Sequence, residues 1–239
     1  MSISAFRVAV CLAVVAVLLT VLSGVVQSVG ALAGMGGNSL LSLLFVGTDD
    51  SLPSWYSTVL LLSCGVVAAV VAREEFDSRS RWRLHWAGLA IIFAYLSVDE
   101  AISIHEKLSP LGARMLAYLG LGGEIIHRAW VIPGALAVVA FLILYARFLL
   151  ARPPVVRTLM SVSAAIYLAG AVGVEVLTDL YVFSSGGLES ISVWQNVVRT
   201  IVLPHVEEFM EMIGVVLMIY ALLTQAGKLR RSCSFRLER

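Results

Sequence analysis

The residues of this chain that could do chemistry are acids and histidines standing inside apolar runs. One run ends Ser97-Val98-Asp99-Glu100 and continues to His105 and Glu106; a second contains Glu175 and Asp179; a third opens with His205, Glu207, Glu208 and Glu211. His127 and Arg128 lead into a fourth. Carboxylates and imidazoles from several helices are fixed oxygen and nitrogen donors of the kind divalent metals take, and helical bundles use them to build di-iron and di-manganese centres. The same groups can trade protons. Buried carboxylates serve proton relays and cation pathways, and an imidazole titrates near neutral pH.

Spacing limits how far the metal reading goes. His205-x-x-Glu208 reverses the Glu-x-x-His order of the di-metal bundles, and no HExxH of a zinc protease is present. The pattern therefore points to a cation site without naming an enzyme. The expected ligands are Asp99, His105, Glu106, Glu175, His205, Glu208 and Glu211, around a divalent ion such as Fe, Mn or Zn. Glu207 and Glu100 are left as spare carboxylates. Either could act as a base in metal-assisted hydrolysis or oxidation of a lipid-like substrate.

Helical phase supports one shared face. Asp99 and Glu106 are seven apart and should point the same way; Glu207 and Glu211 are four apart and stack. His205, Glu208 and Glu211 follow one another by threes along an inclined row. Gly170 and Gly173 precede Glu175 and should let a neighbouring helix approach closely.

The elements that must hold these groups are membrane spans. Hydrophobic residues make up 59% of the 239 and charged ones 14%, too little charge for a soluble surface of this size. Six apolar runs are long enough to cross a bilayer, at residues 8–29, 55–72, 84–104, 130–150, 159–182 and 197–223. An all-α polytopic bundle forming a single domain over 1–239 follows, with a basic tail at 224–239. The first run resembles a signal peptide, but its apolar stretch is too long for a signal core and only Arg7 precedes it, so it is expected to stay as a span.

Arginine and lysine set the orientation. They fill residues 73–83, the stretch between the fourth and fifth runs and the tail, while on the opposite side 30–54 and 183–196 have none and 105–129 has Lys107, Arg114 and Arg128. Both termini should thus be cytoplasmic in an inner membrane. At about 1.5 Å per residue, Asp99, Glu175 and His205 then lie roughly 8–12 Å below the outer ends of their spans, in one leaflet. Trp55, Trp130 and Trp194 should form an outer aromatic belt, with His85 at the opposite interface beside Trp82 and Trp86. Residues 106–122 have an amphipathic pattern suited to lying along the outer interface. Cys11, Cys64 and Cys233 lack any disulfide or metal spacing. A net charge of +1 without a basic tract speaks against nucleic acid as a partner. Membrane lipids are the expected surroundings, and an oligomer is compatible with everything above.

The motifs SVDEAISIHE (97–106), WVIPG (130–134), GAVGVE (170–175) and VEEFMEMIG (206–214) resemble those of a group of uncharacterised bacterial multispanning inner-membrane proteins. The resemblance covers the last two-thirds of the chain. It implies a bacterial inner membrane and no particular activity.

Three functions fit these residues. A cation site with or without catalysis uses the acids as ligands. A proton- or cation-coupled transporter uses them as carriers, although the inner halves of the same spans lack a second polar layer. In a structural network, Arg128 and Arg199 would pair with Glu175, Glu207 or Glu208 and merely lock the bundle. The acids outnumber the arginines in the cluster, which leaves negative charge for protons or a cation to neutralise.

Overall fold

The computed structural model describes residues 4–32, 39–48, 50–120 and 128–237. His127, Asp49 and most of the glycine-rich exit from the first run lie outside the described residues. Those described form helices and no strand. Among the described residues six helices are long and apolar enough to cross a membrane: Ala5–Gly30, Leu52–Asp77, Arg83–Ile102, Val131–Leu150, Pro154–Ser184 and Val193–Leu229. Each contains one of the six runs or nearly so, because a run of about 20 apolar residues satisfies its backbone hydrogen bonds in lipid only as a helix.

The elements run α1 (Ala5–Leu32), a single turn α2 (Ser39–Ser42), α3 (Leu52–Asp77), α4 (Arg83–Ile102) and a 3₁₀ turn at Glu106–Leu108. They continue with α5 (Ser109–Tyr118), α6 (Val131–Leu150), α7 (Pro154–Leu168), α8 (Glu175–Ser184), α9 (Val193–Val197) and α10 (Leu203–Leu237). Start and stop signals are local. The Ser51 hydroxyl accepts the Ser54 N–H at the start of α3, where Pro53 sits in the first turn. Pro153 and Pro154 break the chain between α6 and α7. The basic tail continues α10 rather than leaving it as a loop.

Helix α10 is the hub, packed by α1, α3 and α7, while α4 lies along α3. Leu60, Leu61, Cys64 and Ala68 of α3 meet Met212, Val215 and Ile219 of α10 in one buried cluster. Apolar burial gives little drive between helices already in lipid, so close packing of small residues matters more. A Cβ on Gly65 would lie 3.3 Å from the Ala90 carbonyl oxygen, which shows how near α3 and α4 come. Helix α1 belongs to the same bundle: Ala16 is fully buried, and the Tyr56 hydroxyl donates to the Leu12 carbonyl at 2.7 Å.

Two spans are not regular. π-helical segments at Ala169–Val174 and Val198–Val202 interrupt the fifth and sixth, each a few residues before acids of the candidate cluster. A π turn inserts an extra residue and re-aims the side chains that follow it, and such turns concentrate at functional sites.

Candidate functional site

The end of α4 departs from the expectation of a continuous helix through Glu106. Ser103 takes a left-handed conformation at φ +50°, which stops the helix after Ile102. Asp99 and Glu100 therefore lie in its last turn, and Glu106 sits exposed in the following 3₁₀ turn rather than on a helical face above Asp99. His105 folds back instead. Its backbone N–H donates to Asp99 Oδ1 at 2.7 Å and its Nδ1 lies 3.0 Å from Asp99 Oδ2. Burial pulls this imidazole down, but the hydrogen bond to Asp99 and the charges of Asp99, Glu175 and Glu106 outweigh it and hold the group above its ordinary range.

Trp130 packs edge-on against His105, with ring centroids 4.6 Å apart. It therefore packs into the site, whereas Trp55 and Trp194 are 63% and 71% exposed.

The fifth span contributes a second pair of acids. Glu175 and Asp179 are both buried, one turn apart on α8. Arg128 Nη1 lies 2.9 Å from Glu175 Oε1, and the Arg128 backbone N–H donates to Asp179 Oδ2 at 3.2 Å. One residue thus spans both carboxylates. Among the described residues Glu175 Oε2 is buried without a hydrogen-bond partner of good geometry, the Trp130 indole being its polar neighbour.

Glycine seats this span against α10, though not at both expected positions. A Cβ on Gly170 would stand 2.9 Å from the Glu207 carbonyl oxygen and 3.1 Å from Glu211 Cγ, so only glycine fits. Gly173 has no such neighbour: its surroundings are its own helix. Gly214 of α10 completes the crossing, since its Cβ would lie 2.8 Å from the Tyr167 nitrogen. Ser163 adds a hydrogen bond at that level, donating to the Gly214 carbonyl at 2.7 Å.

The acids of α10 keep together and its histidine parts from them. Glu211 is directed at Gly170 and has Glu208, Glu100, Glu207 and Glu175 as its charged neighbours. Glu207 shares Glu175 and Glu100 and adds Arg128 and His105. His205 stands apart. It lies 3.8 Å from where a Cβ on Gly24 of α1 would be, its ring is 5.8 Å from that of Phe45, and its Nδ1 contacts the Ile201 carbonyl at 2.7 Å. The row of threes winds away from the face that holds Glu211. Arg199 bonds to Asn196 within its own turn.

At about 1.5 Å per residue from Arg83, Pro154 and Lys228, Asp99, Glu100, Glu175, Glu207, Glu208 and Glu211 stand roughly 24–32 Å along, with Asp179 about a turn further out. Asp99, Glu100, Glu175, Glu207, Glu208 and Glu211 are gathered at electrostatic range. Among the described residues no three His, Cys, Asp or Glu side chains form a group that could hold a metal ion as they stand.

Residues 8–226 match the family model of a Domain of unknown function (DUF8692). The chain belongs to this family. No curated protein and no solved structure matches it.

In this DUF8692 chain three site residues escaped the sequence reading of the site. Asp179 carried a usable signal, being four residues after Glu175 and so on the same face. Trp130 and Tyr167 carried none. Tyr167 has Glu211, Glu100, Asp99 and Glu208 around it, a place set only by the α7–α10 crossing.

Proposed function

We propose that this chain is a multispanning inner-membrane protein that exchanges protons for a cation in a carboxylate pocket of the outer leaflet, with both termini cytoplasmic. The observation that carries the reading is the gathering of Glu100, Glu175, Glu207, Glu208 and Glu211, from three spans, in one electrostatic neighbourhood beside Arg128 and His105. Charge of one sign buried at that density must be neutralised, and protons do so without any chelating geometry. An incoming cation would draw the carboxylates together and displace protons. Arg128 would compete with it for Glu175.

The apolar inner halves of the spans favour access from one side. The resemblance of the motifs to bacterial inner-membrane proteins supports the location, and the loop arginines support the orientation.

A second reading has one specific observation behind it. Asp99 holds the Nδ1 side of His105, the outer-shell arrangement that orients metal-binding histidines and leaves Nε2 for the ion. A divalent ion such as Fe, Mn or Zn would then bind there. Glu207 or Glu100 would serve as base toward a lipid-like substrate.

The test is proton release in weakly buffered detergent on addition of Mn²⁺, Fe²⁺, Zn²⁺ or Na⁺. Release by the wild type that is lost in a folded Glu207→Gln/Glu211→Gln variant is expected. Absence of both binding and release from the folded wild type sinks the proposal. Binding that His105→Ala abolishes while Glu211→Gln spares it moves the site to the Asp99–His105 pair.

A further inference from the structure

Helix α5 links the end of the third span to the start of the fourth, so it lies where hydrocarbon gives way to headgroups. Its inner row is seated firmly. Gly112 and Leu116 are buried, and the Ala129 carbonyl occupies the space a Cβ on Gly112 would need. That contact presses α5 against the residue next to Arg128, which holds Glu175 and Asp179.

The outer flank is built differently. Leu111 is 48% exposed, Tyr118 93% and Leu119 65%, and Arg114 lies exposed one turn before Tyr118. A shallow groove of about 300 Å³ runs along this flank between Arg114, Met115, Tyr118 and Leu119. A phenol and a leucine so fully presented are unfavourable in water and favourable at a bilayer interface. A guanidinium beside them supplies a forked donor that matches phosphate oxygens.

We propose that α5 binds a phospholipid with an anionic headgroup from the surrounding bilayer. The phosphate rests on Arg114 and an acyl chain lies along Met115, Tyr118 and Leu119. Charge complementarity and the position between two span ends name this occupant. No part of the assignment depends on cation exchange in the carboxylate pocket. Lys107 does not compete for the headgroup role, because its ammonium donates to the Ile102 carbonyl at 2.9 Å and caps the end of α4.

The experiment is hydrogen exchange of residues 109–118 in the full chain, reconstituted in nanodiscs of phosphatidylcholine with and without phosphatidylglycerol. A contact of one arginine with an anionic surface should slow exchange by about fivefold when phosphatidylglycerol is present. Arg114→Ala should erase that difference, and Tyr118→Ala/Leu119→Ala should speed exchange in both lipids. All these side chains are on the outer flank, and far-ultraviolet circular dichroism checks that the variants fold. Equal exchange of the wild type in the two lipids overturns the proposal, as does undiminished slowing in Arg114→Ala.

Discussion

The two ends of the bundle handle buried charge in opposite ways. At the arginine-rich end, where the α3–α4 and α6–α7 connections meet, one cation is enclosed in rings. Arg152 is 8% exposed and its guanidinium lies 4.7 Å from the Phe148 ring centre, 5.4 Å from that of Trp82 and 5.7 Å from that of Trp86. Its Nε donates to the Phe148 carbonyl at 3.2 Å, and Arg81 and the buried Glu75 are its charged neighbours. His85 stacks on Phe148 at an interplanar angle of 4°, so it is part of this packed block and not a side chain loose at the interface. A cation among π faces with a carboxylate nearby is satisfied where it stands, although His85 Nδ1 and Trp86 Nε1 beside it are buried with no hydrogen-bond partner among the described residues.

At the carboxylate end the balance is reversed. Acids from three spans share one neighbourhood with Arg128 and His105, and Arg128 is itself 44% exposed while its partner Glu175 is 9%. Buried charge is thus no sign of function by itself. What separates the two ends is surplus.

The largest test of the contrast is at the packed end. Trp86 has no exposed surface, so Trp86→Ala should lower stability by about 3–5 kcal/mol in a detergent thermal melt while leaving proton release per folded molecule unchanged. Loss of release in molecules that remain folded would mean the two ends are coupled.

Next comes Arg128→Met, which strands Glu175 in a buried position. A destabilisation of about 1–3 kcal/mol is expected, less than for a fully buried pair because the guanidinium is half in the open. Glu175→Gln in the same chain should recover most of it. Additive effects of the two changes would show that the pair contributes nothing as a pair.

Gly88→Ala has a smaller and more local effect. The Tyr145 hydroxyl stands where the new Cβ would be, and it donates to the His85 carbonyl at 3.2 Å. A loss of about 1–2 kcal/mol is expected, relieved when Tyr145→Phe removes the clash.

The smallest effect is a pH dependence. His105 is held above its ordinary range when folded, so its contribution is complete below that range and lost as pH rises through the folded value. Thermal melts of the wild type should weaken over that window, and Asp99→Asn should flatten the change. An equally steep change in Asp99→Asn would place the titration elsewhere.

Much of this was legible in the chain. The six runs became six helices because lipid leaves the backbone no other way to satisfy its hydrogen bonds. Gly170 announced a close crossing, though Gly173 beside it takes no part and Gly214 went unread, and the acids of three runs announced a shared level. Phase failed where the helix did: Asp99 and Glu106 are seven apart on paper, but Ser103 turns left-handed between them and sends His105 back to Asp99. No residue in that stretch marks the stop, since neither glycine nor proline stands there.

What the sequence by itself determined is the number of spans, their extent to within about two turns, and which of them carry charge. These follow from hydropathy and chain geometry, which are local. Only the tertiary structure decided which charges meet. That Arg128 takes Glu175 while Arg199 takes Asn196, that Trp130 packs against His105, and that His205 faces α1 depend on the rotation of each helix about its own axis. One residue turns a helix by about 100°, and the π segments add turns of their own before Glu175 and Glu207. Rotation is set by which small residues interlock between helices, a property of pairs that no single run contains.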